Sequence, residues 1–232
     1  GGGTMGAGIA TAALLAGFNV VLIEMKEDAA EAARGRIAGN LSGALKRGKI
    51  TQMKYDAMTN TALEVSINYD SLASVDLVIE AVFEDMGVKK EVFGKLDAVC
   101  KPGAILASNT SYLDVDEIAA STSRPADVIG LHFFSPAHIM KLLEVVVAEK
   151  TAPDVVATGF ALGKALNKIS VRAGVCDGFI GNRILATYRT AADHMVLDGA
   201  SPFQIDKALV DFGFAMGPFA VGDLAGLDIG WA

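Results

Sequence analysis

The stretch GGGTMGAGIATAALLAGFNVVLIE, from Gly1 to Glu24, constrains the fold more than any other part of the chain. Gly1, Gly3 and Gly6 satisfy the pattern G-x-G-x-x-G, an apolar helical run follows, and a short apolar run then ends in an acid. In such a turn the first glycine permits a tight bend and the second lets the backbone approach a pyrophosphate. The third lets the following helix pack closely on a sheet. Thr4 and Met5 stand where the loop meets that helix, whose free N–H groups and positive dipole end suit an anion. Glu24 stands about 20 residues beyond the loop, where a carboxylate accepts hydrogen bonds from adenosine ribose hydroxyls. It would repel a 2′-phosphate, so NAD is the expected cofactor rather than NADP, although Lys26 beside it works against that preference. The plainer alternative is a glycine-rich turn with an incidental acid.

The rest of the first 173 residues repeats the same rhythm. Apolar strand patterns are predicted at 19–24, 63–67, 76–82, 104–109, 127–134, 142–147 and 169–173, with helices near 5–17, 28–47, 86–99, 114–121 and 153–167. Strands that do not alternate, interleaved with helices, predict a Rossmann-like, doubly wound α/β sheet. A hydrophobic content of 52% fits strands apolar on both faces. After GVCDG (174–178) the strands stop, and FIGNRILATYRTAADHMVLDG and SPFQIDKALVDFG read as helices, the first stopped by Gly199 and the second started by Ser201 and Pro202. The expected division is 1–173, a nucleotide-binding domain, and 174–232, an incomplete all-α domain. A loop of this kind is normally fed by a buried central strand, and here the chain begins at the turn. The expectation is that the first strand belongs to a longer polypeptide, or that something else fills its place.

Composition removes several classes. No run reaches about 18 apolar residues, so no membrane span is expected. A net charge of −7 argues against nucleic acid as a partner. Cys100 and Cys176 lack metal-ligand or redox spacing, so no metal is expected and a reducing compartment is the default.

With only three histidines, few side chains can serve as a base near neutral pH. His132, in GLHFFSP, falls at the carboxyl end of a strand, where open α/β sheets hold their ligands. Glu144 lies in the next apolar strand, LLEVVV, where a lone carboxylate must be paired or neutralised. Paired strands would set Glu144 against the His132 ring, a base and its orienter. Either residue alone would be read as structural. Ser111, in SNTSY at the same edge, either hydrogen-bonds a substrate oxygen or caps the helix that begins near Asp114. Asn182, on the first helix of the second domain, either polarises a carbonyl or ties the two domains together. His138 and His194 read as solvated.

Together, ASNTS, GLHFFSPAHIMKLLEVV, DGFIGNRI and GFAMGPFAVGDLAGLDIGW resemble the L-3-hydroxyacyl-CoA dehydrogenase family over essentially the whole chain. The closest likeness is to the dehydrogenase section of multifunctional β-oxidation enzymes, which join an enoyl-CoA hydratase to it. The resemblance implies NAD-dependent oxidation of (S)-3-hydroxyacyl-CoA, with His132 as general base, Glu144 as its partner, and Ser111 and Asn182 on the reacting oxygen. It implies that Glu84 and Lys89 lie near the nicotinamide ribose, and that Lys46, Arg47 and Lys49 hold the phosphates of an acyl-CoA substrate. A cation cluster suits a phosphate-rich carrier, and it is also what a solvated helix end attracts.

Two positions depart from the usual family pattern. Ser135 replaces an Asn expected to touch the nicotinamide, as in the multifunctional type, and Glu24 replaces the commoner Asp. The chain also ends at Ala232, where another helix is expected to start. The implied setting is a longer multifunctional chain or a homo-oligomer, in bacterial cytoplasm or in a peroxisome or mitochondrial matrix. Two rivals stay open: a dehydrogenase of a free hydroxy acid or sugar acid, and a non-catalytic nucleotide-binding fragment.

Overall fold

A computed structural model describes residues 1–225. It divides into two compact units, Gly1–Phe179 and Ile180 onward.

In the first unit each predicted strand forms: β1 (Val20–Ile23), β2 (Leu63–Ser66), β3 (Leu77–Glu80), β4 (Ile105–Ser108), β5 (Val128–Phe133), β6 (Leu142–Val147) and β7 (Ile169–Gly174). Strands β3, β4 and β5 run parallel, β6 returns antiparallel to β5, and β7 is parallel to β6. The reversal follows from the chain between Phe133 and Leu142, which holds no crossover helix. Strands β4 and β5 are buried at every position, as their unalternating sequences require.

Strands β1 and β2 form a separate parallel pair. Between β1 and β3 lies a cavity of about 840 Å³, lined by Val20–Ile23, by Leu77–Glu80 and by apolar side chains such as Ile9 and Leu96. Among the described residues no strand of this chain lies between those two edges. The described strands therefore form two sheets, divided between β1 and β3.

Helices α1 (Thr4–Leu15), α2 (Glu27–Lys46), α4 (Met86–Val99), α5 (Val115–Ala119) and α6 (Pro153–Ala165) also match prediction. In α2, Ala30, Ala33, Ile37, Leu41 and Ala44 form the buried stripe of an amphipathic helix. Acids in its first turn and Lys46 in its last complement the helix dipole. The short α3 (Gln52–Ala57) and the π turn after it are not predicted by the sequence pattern. Val175 and Phe179 pack into the first unit's core, so by packing the first unit extends past residue 173.

The second unit holds α7 (Gly181–Leu197), α8 (Pro202–Phe212) and α9 (Pro218–Ala225). Gly199 and Gly213 follow α7 and α8 with positive φ, the backbone state that glycine reaches at least cost. Gln204 Oε1 accepts the Ser201 amide at 3.1 Å ahead of Pro202. Asp206 accepts the Phe219 and Ala220 amides, each at 2.9 Å, and so satisfies the start of α9. The motif residues 226–231 and the helix expected after Ala232 lie outside the described residues.

Candidate active site

The glycine loop bridges two strand ends. A Cβ on Gly1 would meet the Ala81 carbonyl oxygen, just past β3, at 3.1 Å. The Gly2 amide donates to Glu24 Oε1, just past β1. Gly6 is sterically fixed, because any Cβ there would strike the Gly1 carbonyl oxygen. Gly3, the N-cap of α1, faces open space, and no side chain caps that helix. Thr4 and Met5 follow in its first turn. An uncapped helix start, room above Gly3 and a carboxylate at the end of β1 fit a dinucleotide. Each Glu24 oxygen retains acceptor capacity beyond its contacts to the Gly2 and Met25 amides.

His132 and Glu144 are directly paired residues of β5 and β6. His132 Nδ1 lies 2.7 Å from Glu144 Oε2, with both side chains buried. The Phe134 and Phe179 rings pack at 4.5 and 5.7 Å from the imidazole. A carboxylate on Nδ1 makes that nitrogen the donor and leaves Nε2 as the acceptor.

The SNTSY loop continues β4 at the same edge. Asn109 Oδ1 accepts the Phe133 amide at 2.9 Å, locking the loop to the strand that carries His132. Asp114 caps α5 by accepting the Asp116 and Glu117 amides. Ser111 is therefore not that cap, and the capping alternative fails. Glu84 gathers the loop instead: its Oε1 accepts the Thr110 hydroxyl, the Ser111 amide at 2.7 Å and the Tyr112 amide at 3.2 Å. Burial works to raise the Glu84 pKa, but the Thr110 hydroxyl, the Lys89 charge and the Ser111 amide outweigh it and hold the carboxyl below its ordinary value.

Lys89 is wholly buried, with Nζ 2.8 Å from Glu80 and 3.2 Å from Glu84. Sequence reasoning missed Glu80, Asn109 and Thr110. Glu80 carried a usable signal, since it is a lone acid inside the apolar run DLVIEAV.

Lys46 ends α2, Arg47 is its C-cap, and both are exposed with Lys49. The solvated reading of His138 is corrected: its Nδ1 is buried without a hydrogen-bond partner among the described residues. Burial, then the Lys168 and Arg47 charges, hold its pKa below the ordinary histidine value. Lys168 also donates to the Ala137 and Met140 carbonyls, which pins the segment after the exposed Ser135. His194 is exposed. Asn182 stands in the first turn of α7, in the second unit. Among the described residues no cluster suits a metal, and no helix is long and apolar enough to cross a membrane.

Comparison with known proteins identifies the family. Residues 1–176 match the model of the 3-hydroxyacyl-CoA dehydrogenase NAD binding domain, and residues 178–232 match that of the family's C-terminal domain. The peroxisomal bifunctional enzyme of Danio rerio is 48% identical over 99% of the chain, which spans 31% of that enzyme. A glyoxysomal fatty acid β-oxidation multifunctional protein of Brassica napus is 42% identical, again over 99% of the chain and 31% of the relative. The chain thus covers about a third of the curated relatives it matches. Among solved structures, M. tuberculosis FadB2 superposes with a TM-score of 0.94 at 38% identity, covering 98% of this chain and 81% of that one. The 3-hydroxybutyryl-CoA dehydrogenase of Escherichia coli gives 0.93 at 40%, covering 99% and 49%. The chain belongs to the 3-hydroxyacyl-CoA dehydrogenase family.

Proposed function

We propose that this chain is the dehydrogenase section of a multifunctional β-oxidation enzyme and oxidises (S)-3-hydroxyacyl-CoA to 3-ketoacyl-CoA. The observation that carries the reading is the buried His132–Glu144 pair at the carboxyl edge of the sheet, 2.7 Å apart. Bound NAD supplies the hydride acceptor. His132 Nε2 takes the hydroxyl proton, and Glu144 stabilises the imidazolium that results. Ser111 and Asn182 donate to the substrate oxygen. Gly1, Gly3, Thr4, Met5, Gly6 and Glu24 hold the dinucleotide, with Glu84, Lys89 and Ser135 toward its nicotinamide end. Lys46, Arg47 and Lys49, exposed at the end of α2, take the CoA phosphates. The peroxisomal and glyoxysomal names of the relatives support the same setting for this chain.

NADH oxidation by the natural polypeptide, driven by acetoacetyl-CoA or by free acetoacetate, tests the reading. The thioester is expected to turn over far faster. Equal rates would favour a free-acid dehydrogenase, and NADH binding without turnover would favour a non-catalytic module.

A further inference from the structure

Glu80, at the end of β3, is one of the most buried charged groups in the first unit, and its charged partner is Lys89, assigned above to the nicotinamide end. Its Oε1 accepts from Lys89 Nζ at 2.8 Å and from the Val82 amide at 2.7 Å, while Oε2 accepts the Ser108 hydroxyl at 2.7 Å. Its own carbonyl accepts the Asn109 amide at 2.8 Å. Glu80 and Ser108 are directly paired across β3 and β4. The Ser108 hydroxyl in turn accepts the Thr110 amide at 3.2 Å. Lys89, wholly buried, reaches onward to Glu84 at 3.2 Å, and Glu84 gathers the Thr110 hydroxyl and the Ser111 and Tyr112 amides.

One ammonium therefore sits between two carboxylates, and each carboxylate grips a different part of the loop that carries Ser111. A buried ammonium is costly unless its charge is answered, and here two carboxylates answer it, Glu80 at 2.8 Å and Glu84 at 3.2 Å. Glu80 supplies the competing partner, which leaves Glu84 turned toward the loop amides. We infer that Glu80 is a positioning residue for Ser111, acting through Lys89 and Glu84. This assignment rests on the dehydrogenase reading for its effect on turnover, but its effect on the loop stands without that reading.

The test is hydrogen exchange at the Ser111 and Tyr112 amides, measured in the natural polypeptide and in Glu80→Gln, which keeps the size of the side chain and removes its charge. Both amides are expected to exchange at least about tenfold faster in the variant, the change that accompanies a loosened local structure. The β4 amides should stay protected. Unchanged exchange at Ser111 and Tyr112 would overturn the assignment.

If Glu80→Gln does not fold, Lys89→Gln cuts the same chain one link later. It must loosen the same two amides, and failure to do so overturns the idea equally. Where the parent turns over acetoacetyl-CoA, Glu80→Gln should lower kcat while leaving the KM for acetoacetyl-CoA near that of the parent. The kcat losses of Glu80→Gln and Lys89→Gln should be strongly non-additive, as expected for links of one chain. Additive losses, or a variant at the parent's kcat, would refute the inference. A parent inactive toward acetoacetyl-CoA would refute the functional reading alone.

Discussion

At the scale of single residues, what matters is where charge is buried and what answers it. Glu80, Lys89, His132 and Glu144 are all at most 3% exposed, and each has a partner of opposite or complementary character. Removing one member of such a pair leaves the other uncompensated, which typically costs about 3–5 kcal/mol. Glu144→Ala is therefore predicted to lower stability as well as turnover, while Glu144→Gln should spare most of the stability. Chemical denaturation of both variants checks this, and equal losses would count against the pairing. Glu84 gives a pH-dependent prediction. Its carboxyl pKa is lower folded than unfolded, so its stabilising contribution is complete above the unfolded value and is lost as pH falls through the folded one. Denaturation at a series of pH values should show a shallower acid limb for Glu84→Gln than for the parent, and parallel curves would contradict the assignment. The pairing of His132 with Glu144 was legible because a lone acid in an apolar strand demands a partner. The same rule applies to Glu80, which was missed, and its partner Lys89 lies on a helix nine residues on, in the polar-looking FEDMGVKK, where no pattern marks a buried lysine.

At the scale of elements, the glycine loop and the helix starts can be tested separately. A Cβ on Gly6 has nowhere to go but into the Gly1 carbonyl oxygen, so Gly6→Ala must move the loop. It is predicted to weaken NADH binding at least tenfold, about 1.4 kcal/mol, measured by fluorescence titration. Undiminished affinity would show that the loop does not hold the dinucleotide. Asp114→Ala removes the cap of α5 and should cost about 1 kcal/mol without changing NADH affinity. The seven strands were readable because runs such as AILASN and LLEVVV are apolar on both faces and bounded by turn residues. The segment QMKYDAMTNTA was not, since it has no buried residue in α3 or in the π turn that follows. Without an apolar stripe, helical periodicity has nothing to display.

At the scale of the whole molecule, a net charge of −7 coexists with exposed cations at the end of α2. Local potential, not net charge, decides whether a phosphate-rich substrate is drawn in. Lys46→Glu with Lys49→Glu is predicted to raise the KM for acetoacetyl-CoA about tenfold, in line with the loss of charge-assisted phosphate contacts. Salt should raise the KM of the parent more than that of the variant, and matching salt responses would remove these cations from the substrate site. The central claim is that His132 is the base. The most direct measurement is kcat for acetoacetyl-CoA-dependent NADH oxidation by the natural polypeptide and by His132→Ala, with NADH affinity measured on both. A loss of about 10²–10⁴-fold with NADH affinity retained is predicted. Turnover at the parent's rate would contradict it.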